Sequence, residues 1–528
     1  MQRACEVAVV GGGPVGLALA VELGRRGIST IVVERHRALH RIPKGQNLSR
    51  RTLEHFYFWG IVDELRAARL LPPGYPIGGI VAYGDLLGEY WFAHLNHAVA
   101  ADMWFQANDR LPQYLMEQVL RRRIADFPNV TALFGWRAEA IEDGENAVNV
   151  VIVDEDGAER QVIRADYVAG CDGARSMVRE HLGVDRGGDD FDQRMVLAVF
   201  RSRELHESLK RFPERTTYRV MKPEAKGYWH FFGRVDVGEG WFFHAPVPND
   251  TTPENYDFHG LIQRVAGFPF KAEFEHVGFW DLRIAVASRY QRGRVFIAGD
   301  AAHTHPPYGG YGLNSGLEDV TNLGWKLAAR LQGWGGDALL ASYTEERQPI
   351  FAETGAAIAE GIRRDGAFLE RYSPERDRAE FEQAWTDWQA SLGSRQESYE
   401  PHYEGSSVVC GPPNATCSIY GRHVPAARPG HHLAPRLLSS GRNVFEELSP
   451  GFTLLAFGAG DRSVRAFHGA AEEARVPLKV IADTYEEPRS AYGSKLVLVR
   501  PDQYVVWAGD EAPRDAAAVL RRAAGLTS

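Results

Sequence analysis

Short apolar runs broken by glycine-bearing turns alternate, along this chain, with longer stretches whose apolar positions recur at helical spacing. The opening CEVAVVGGGPVGLALAVELGRRGISTIVVER predicts an apolar strand, a glycine turn, a helix and a second apolar strand ending at Glu34. Pro14 falls in the first helical turn, where a missing N–H costs nothing. RIPKGQNLSRRTLEHFYFWGIVDEL predicts a polar loop leading into a helix from about Leu48, with Phe56, Tyr57, Phe58 and Trp59 as packing residues. RLPQYLMEQVLRRRIADF predicts an amphipathic helix with Leu111, Leu115, Val119 and Leu120 on one face and its arginines in solvent. Between about Val130 and Val168, VNVVIVD and the approach to AGCDGARS predict strands that rejoin the first sheet.

From about Met195 to Val286 the period shortens to two. MVLAVF, YWHFFGRV and GWFFHAPV predict a separate, mostly antiparallel sheet. In YWHFF the alternation puts Tyr228, His230 and Phe232 on one face and Trp229 and Phe231 on the other. Helical spacing resumes in GLEDVTNLGWKLAARLQGW and SYTEERQPIFAETGAAIAEGIRR. A loop-rich stretch with Pro and Gly follows, and from about Gly405 a last α/β domain is predicted from FTLLAFG, LKVIADT, KLVLVRPDQYVVWAG and a closing helix. No internal repeat is present.

Length changes this picture only by requiring two or three domains for 528 residues. A formal charge of -9, with no run of Lys or Arg, excludes a nucleic-acid partner. Four cysteines, Cys5, Cys171, Cys410 and Cys417, make neither a disulfide framework nor a metal spacing, which points to a reducing cytoplasm. No targeting segment and no membrane span are expected, since Glu22, Arg25 and Arg26 interrupt the first apolar run.

Candidate chemistry sits at the predicted strand ends. Gly11, Gly13 and Gly16 satisfy G-x-G-x-x-G directly after a strand, and Glu34, beside Arg35, follows at about twenty residues. Glycine lets the backbone approach a pyrophosphate, the helix N-terminus favours its charge, and the carboxylate can accept from a ribose. In GRVFIAGDAAHTHPPYGGYGLNSG, Asp300 ends a buried strand, and the amides near Gly312, Leu313 and Asn314 open a helix predicted to start near Asn314. His303 and His305 lie two apart, but no further ligands gather near them, so no metal is assigned.

Three motifs in this order, GGGPVG with Glu34, AGCDGARSMVR with Asp172, and GDAAHTHPPYGGYGLNSGLED with Asp300, make the chain resemble the class A flavoprotein monooxygenases, the para-hydroxybenzoate hydroxylase-like aromatic hydroxylases. The likeness covers roughly residues 5 to 400. The last part, with RPG, FTLL and LVRPDQYVVW, resembles the thioredoxin-like C-terminal domain of the larger phenol and polyketide hydroxylases, without C-x-x-C.

The resemblance implies an α/β fold: a Rossmann-like FAD-binding domain over 1–75, 106–186 and 291–400, interleaved with a mostly antiparallel substrate-binding sheet over 76–105 and 187–290, and a thioredoxin-like domain over 405–528. It implies that FAD is held by Gly11, Gly13, Pro14, Gly16, Glu34, Arg35, Lys44, Gln113, Asp172 and Asp300. Pro306 would lie beside the isoalloxazine, and Gly312, Leu313 and Asn314 at its pyrimidine edge. Lys44 stands where the family usually has arginine, keeping the charge and losing the planar fork. GGYG replaces the common GGQG and puts Tyr311 near the ring.

The implied reaction is reduction of FAD by NADH or NADPH, capture of O2 as a C4a-hydroperoxide, and hydroxylation of a phenolic or related aromatic substrate. Such a ring is activated by a group that draws off its proton. His230 is nominated first and Tyr218 second, both from the central sheet. Two alternatives stay open: a Baeyer-Villiger, ring-opening or drug-inactivating oxygenase on the same scaffold, and a non-catalytic FAD-binding partner protein. Substrate identity, the choice of NADH or NADPH, and the homodimer suggested by family habit are also open at this point.

Overall fold

The computed structural model describes residues 2–96, 100–484 and 486–526. Its first sheet has a parallel centre in the order Val295–Ile297, Arg160–Gly170, Gln2–Val10, Thr30–Glu34, Val130–Phe134. Trp136–Asp143 and Val148–Asp154 fold back antiparallel beside Arg160–Gly170. Val7–Val10, Ile31–Val33 and Val295–Ile297 at the parallel centre are apolar and buried, because helices cover them, whereas Trp136–Asp143 alternates exposed and half-buried positions. Helix Pro14–Gly24 is buried on nearly every side, which its Leu, Ala and Val content permits. Helix Tyr311–Leu331 packs against it.

The second sheet runs His303–Thr304, Glu273–Ala287, Arg186–Arg201, Gly240–Val247, His230–Arg234, Thr217–Met221, Gly78–Tyr83, Trp91–Leu95. All its pairs are antiparallel except Thr217–Met221 with Gly78–Tyr83. Its outer face, with Val196, Ala198, Tyr218, Val220, Phe232, Trp241 and Phe243, forms one core with helix Phe258–Ala266. Its inner face carries Leu197, Val199, Phe231, Phe242 and Trp280 and turns toward Ile42 of the first domain. The last four strands, ordered Leu478–Asp483, Phe452–Phe457, Leu496–Val499, Val505–Gly509, pack with helices Asp461–Ala474 and Ala516–Ala523 against Trp325, Trp334 and Leu339.

Two boundaries differ from the sequence reading for identifiable reasons. The helix expected near Asn314 begins at Tyr311, because Gly309 and Gly310 both have positive φ (73° and 72°) and complete the turn before it. The helix expected to bury Leu111 and Leu115 spans Gln113–Ala125 after Pro112 and buries Met116, Val119, Leu120 and Ile124. Among the described residues no helix is long and apolar enough to cross a membrane.

Candidate active site

Two helix N-termini and four strand ends converge at one edge of the first sheet. Gly11 has φ 104°, and a Cβ there would lie 2.8 Å from the amide nitrogen of Asp172, so the glycine turn and the CDG segment touch through their backbones. Gly16 seats its helix directly on the turn: a Cβ there would stand 1.9 Å from the Gly11 carbonyl oxygen. Gly13, the N-cap residue, is different. A Cβ at Gly13 would meet nothing within 4 Å, and no side chain caps the helix that Pro14 begins. The free amides of this turn therefore face open space, as an anion site requires.

Glu34 closes one side of that space, its carboxylate accepting from the Gly12 amide at 2.7 Å and the His36 amide at 2.8 Å. Arg35 is exposed and bonds His36. Gln113 opens its helix and donates to Glu117, and a Cβ on Gly45 would lie 3.3 Å from Gln113 Oε1 and 3.1 Å from Leu313. Gly45, Gln113 and Leu313, far apart in sequence, thus meet, with Lys44 next to them in the chain. Both polar atoms of the buried Gln46 side chain lack a partner. Burial raises the Glu117 carboxyl, while Lys44 opposes that shift.

Asp300 follows strand Val295–Ile297, in the short turn Gly299–Ala301, and its side chain is exposed. Desolvation raises its carboxyl above the ordinary range, opposed by His303, Lys44 and Arg186. Beneath it, fully buried Asp319 accepts from the Gly299 amide (3.1 Å), His303 Nε2 (2.6 Å) and Arg347 Nε (2.8 Å). The Arg347 and His303 charges outweigh desolvation and hold Asp319 below its usual value. Sequence reasoning missed Asp319 and Arg347. The available signal was an acidic pair, Glu318 and Asp319, between the apolar Leu317 and Val320 of a helix that is buried on most sides.

The loop after Asp300 places Pro306 in the interior, its carbonyl taking the His305 Nδ1 proton. Burial pushes His305 down to about 4 and leaves its Nε2 without a partner. Helix Tyr311–Leu331 has no side-chain cap, so the amides of Tyr311, Gly312 and Leu313 remain available. The Asn314 side chain is already committed: it accepts from the Ser49 amide and Thr52 Oγ1 and donates to the Asn47 and Gly310 carbonyls. It braces the loop that follows Lys44. Tyr311 packs against Tyr399 and His305. The Asp172 carboxylate is likewise committed, accepting from Ser176 Oγ and the Val178 amide at the start of helix Met177–Leu182. Only its backbone adjoins the glycine turn.

The inner face of the second sheet stands opposite this loop. Tyr308 stacks on Trp229 (4.2 Å between ring centroids), and its hydroxyl accepts from the Trp229 amide. Phe231, His276 and Trp280 are half-buried, and Trp280 Nε1 donates to His244 Nδ1 at 3.2 Å. That bond leaves the His244 proton on Nε2, and burial lowers the ring's pKa to about 4. The two nominated activating residues are not on this face. Tyr218 belongs to the outer core, where its hydroxyl donates to the Arg215 carbonyl and accepts from Arg234. His230 shares the side of Phe232 and Arg234 by strand alternation, and Lys222 is the charge that reaches it. Their placement corrects the sequence reading, which had no means of choosing between the faces.

His303 and His305 turn to Asp319 and to a backbone carbonyl. Elsewhere His402, Glu404 and His431 approach one another within 4.8 Å. Their two imidazoles stack at 18°, an arrangement that does not aim both in-plane lone pairs at one point.

This arrangement, a dinucleotide-binding edge facing an aromatic-lined sheet, is that of a flavoprotein oxygenase. The chain matches the FAD binding domain family over residues 4–356 and the aromatic-ring hydroxylase C-terminal family over 426–526, and it belongs to these FAD-dependent monooxygenases. It is 30% identical to 4-methyl-5-nitrocatechol 5-monooxygenase of a Burkholderia species, over 97% of this chain and 96% of that protein. It is 29% identical to tetracenomycin A2 monooxygenase-dioxygenase of Streptomyces glaucescens, over 98% and 95%. The structure of the rebeccamycin biosynthetic enzyme RebC with reduced flavin superposes with a TM-score of 0.86 at 27% identity, covering 100% of both chains. The residues fit FAD: the open cradle at Gly13, the two uncapped helices and the unpartnered Gln46 amide all await polar, partly anionic groups.

Proposed function

We propose that this chain hydroxylates a phenolic or related planar aromatic compound, with FAD reduced by NADH or NADPH and O2 as the oxygen source. The observation that supports this most directly is the half-buried aromatic face, Trp229, Phe231 and Trp280 with Phe242, set opposite Pro306 and the start of helix Tyr311–Leu331. FAD supplies the redox and oxygen-transfer chemistry when bound. In this reading the turn from Gly11 to Gly16 holds the pyrophosphate, Glu34 the ribose, and Asp300, Lys44 and Gln113 the middle of the cofactor. The Gly312 and Leu313 amides meet the pyrimidine edge, where donors favour negative charge.

The inner face orients a flat ring and keeps water from it. His244, with its proton on Nε2, is the inner-face donor to an oxygen substituent, a role that replaces the one given to His230. The four cysteines are unpaired, which supports a cytoplasmic setting. The test is NADH and NADPH oxidation with O2 uptake across phenols, pyridines and polycyclic aromatics, with product mass recorded. A compound that speeds oxidation and gains one oxygen supports hydroxylation. Gain of two oxygens or ring opening supports the alternative outcome suggested by the tetracenomycin relative. Flavin binding without stimulation by any compound counts against an oxygenase.

A further inference from the structure

Arg110 is a deeply buried cation, 2% exposed, and among the described residues no carboxylate pairs with its guanidinium. Its own amide donates to Asp109, but that carboxylate pairs with Arg69 at 3.2 Å. The guanidinium gives Nη1 to Asn47 Oδ1 and Nη2 to the Arg234 carbonyl, and its Nε has no acceptor. Burial pulls its pKa down to about 9. Arg51, Arg347 and Arg500, also buried, each contact a buried carboxylate. Arg234 also lacks one, but all three of its guanidinium nitrogens are hydrogen-bonded. A buried charge without a counter-charge is costly unless something else supplies it.

The position of Arg110 says where that counter-charge would come from. Its guanidinium carbon lies 5.7 Å from the centroid of Phe242, on the inner face of the second sheet. Asn47, its partner, adjoins Gly310 at the start of helix Tyr311–Leu331: a Cβ on Gly310 would lie 3.3 Å from Asn47 Cβ. Arg110 thus stands between the aromatic face, at Phe242, and the helix start, at Asn47 and Gly310. We propose that Arg110 anchors an oxyanion of the aromatic substrate, a carboxylate or an ionised phenol or enol oxygen. This rests on the reading that the substrate lies against the inner face. The planar fork suits such a group, and the free Nε–H adds a charge-assisted hydrogen bond on its arrival.

The test compares 1-hydroxy-2-naphthoate with its amide on the FAD-loaded enzyme and on Arg110→Met, Arg110→Gln and Arg110→Lys, by perturbation of flavin absorbance. The wild type is expected to bind the carboxylate about 10- to 100-fold more tightly than the amide. Both neutral variants should lose that preference while keeping FAD and its midpoint potential, and Arg110→Lys should fall between. Equal affinity for the two probes, no binding of either to the wild type, or a preference that survives in a neutral variant overturns the proposal. A changed midpoint potential with the preference intact also overturns it and assigns Arg110 to the flavin. Because the contrast is read from binding, it can fail while turnover succeeds, and the hydroxylase reading can fail while the contrast holds.

Discussion

Gly13→Ala and Gly16→Ala separate two roles that one glycine motif combines. At Gly16 the new methyl would start 1.9 Å from the Gly11 carbonyl oxygen and 3.2 Å from Cys171 Cβ. Backbone must therefore give way by well over an ångström, since carbon and oxygen rest at about 3.4 Å or more. Overpacking of this kind costs about 1–3 kcal/mol, only partly offset by the smaller backbone entropy that alanine loses in the first helical turn. Gly16→Ala is expected to lower the melting temperature of the flavin-free protein as well as weaken FAD binding. Gly13 has φ -74°, which alanine adopts freely, and its Cβ meets no protein atom. Gly13→Ala should leave the flavin-free protein within about 1 kcal/mol of wild type, the range of an N-cap change. The same methyl stands where the pyrophosphate must approach, so FAD affinity should fall about 5- to 150-fold, equivalent to about 1–3 kcal/mol. The assay is fluorescence titration of reversibly stripped protein with FAD, beside thermal unfolding of each flavin-free form. Unchanged FAD affinity in Gly13→Ala would refute the placement of the pyrophosphate at this turn.

Other consequences can be checked in parallel. Asp319→Asn leaves Arg347 and His303 without their buried counter-charge and should destabilise by about 3–5 kcal/mol, with FAD released more readily because the Gly299 amide loses its anchor; urea unfolding monitored by flavin fluorescence would register both, and a wild-type midpoint would contradict the network's role. Burial holds His94, His230, His244 and His305 at about 4, against an ordinary 6.5. Between pH 6.5 and 4 the unfolded chain takes up protons that the folded chain refuses, so stability present above pH 6.5 is lost as pH falls through that window. A urea midpoint that rises from pH 7 to pH 5 would be inconsistent with this. Phe242→Ala and Trp280→Ala should raise KM for the aromatic substrate about tenfold or more through lost burial, whereas His230→Ala should leave both KM and kcat within about twofold; a His230→Ala variant with a collapsed kcat and intact fold would return that residue to the site.

The sequence alone determined the local features. Gly11 and Gly16 are legible because a tight turn and a close helix contact each exclude a side chain within a few residues of chain, while at Gly13 no protein atom opposes one. The apolar run before Asp300 was legible as a strand, which ends at Ile297, with Asp300 in the turn just beyond it. Alternation in YWHFF also separated His230 from Phe231 correctly. What it could not contain was the sidedness of the sheet. Helix Phe258–Ala266 covers one face and the FAD-binding domain the other, and that choice is made by tertiary packing. The helix start at Tyr311 rather than Asn314 depended on two glycines entering the left-handed region, which a glycine-rich string permits without requiring. The bracing roles of Asn314 and Asp319 and the isolated charge of Arg110 are long-range facts. Their partners lie tens to hundreds of residues away, and only folding brings such groups within hydrogen-bond distance or leaves one of them without a counter-charge.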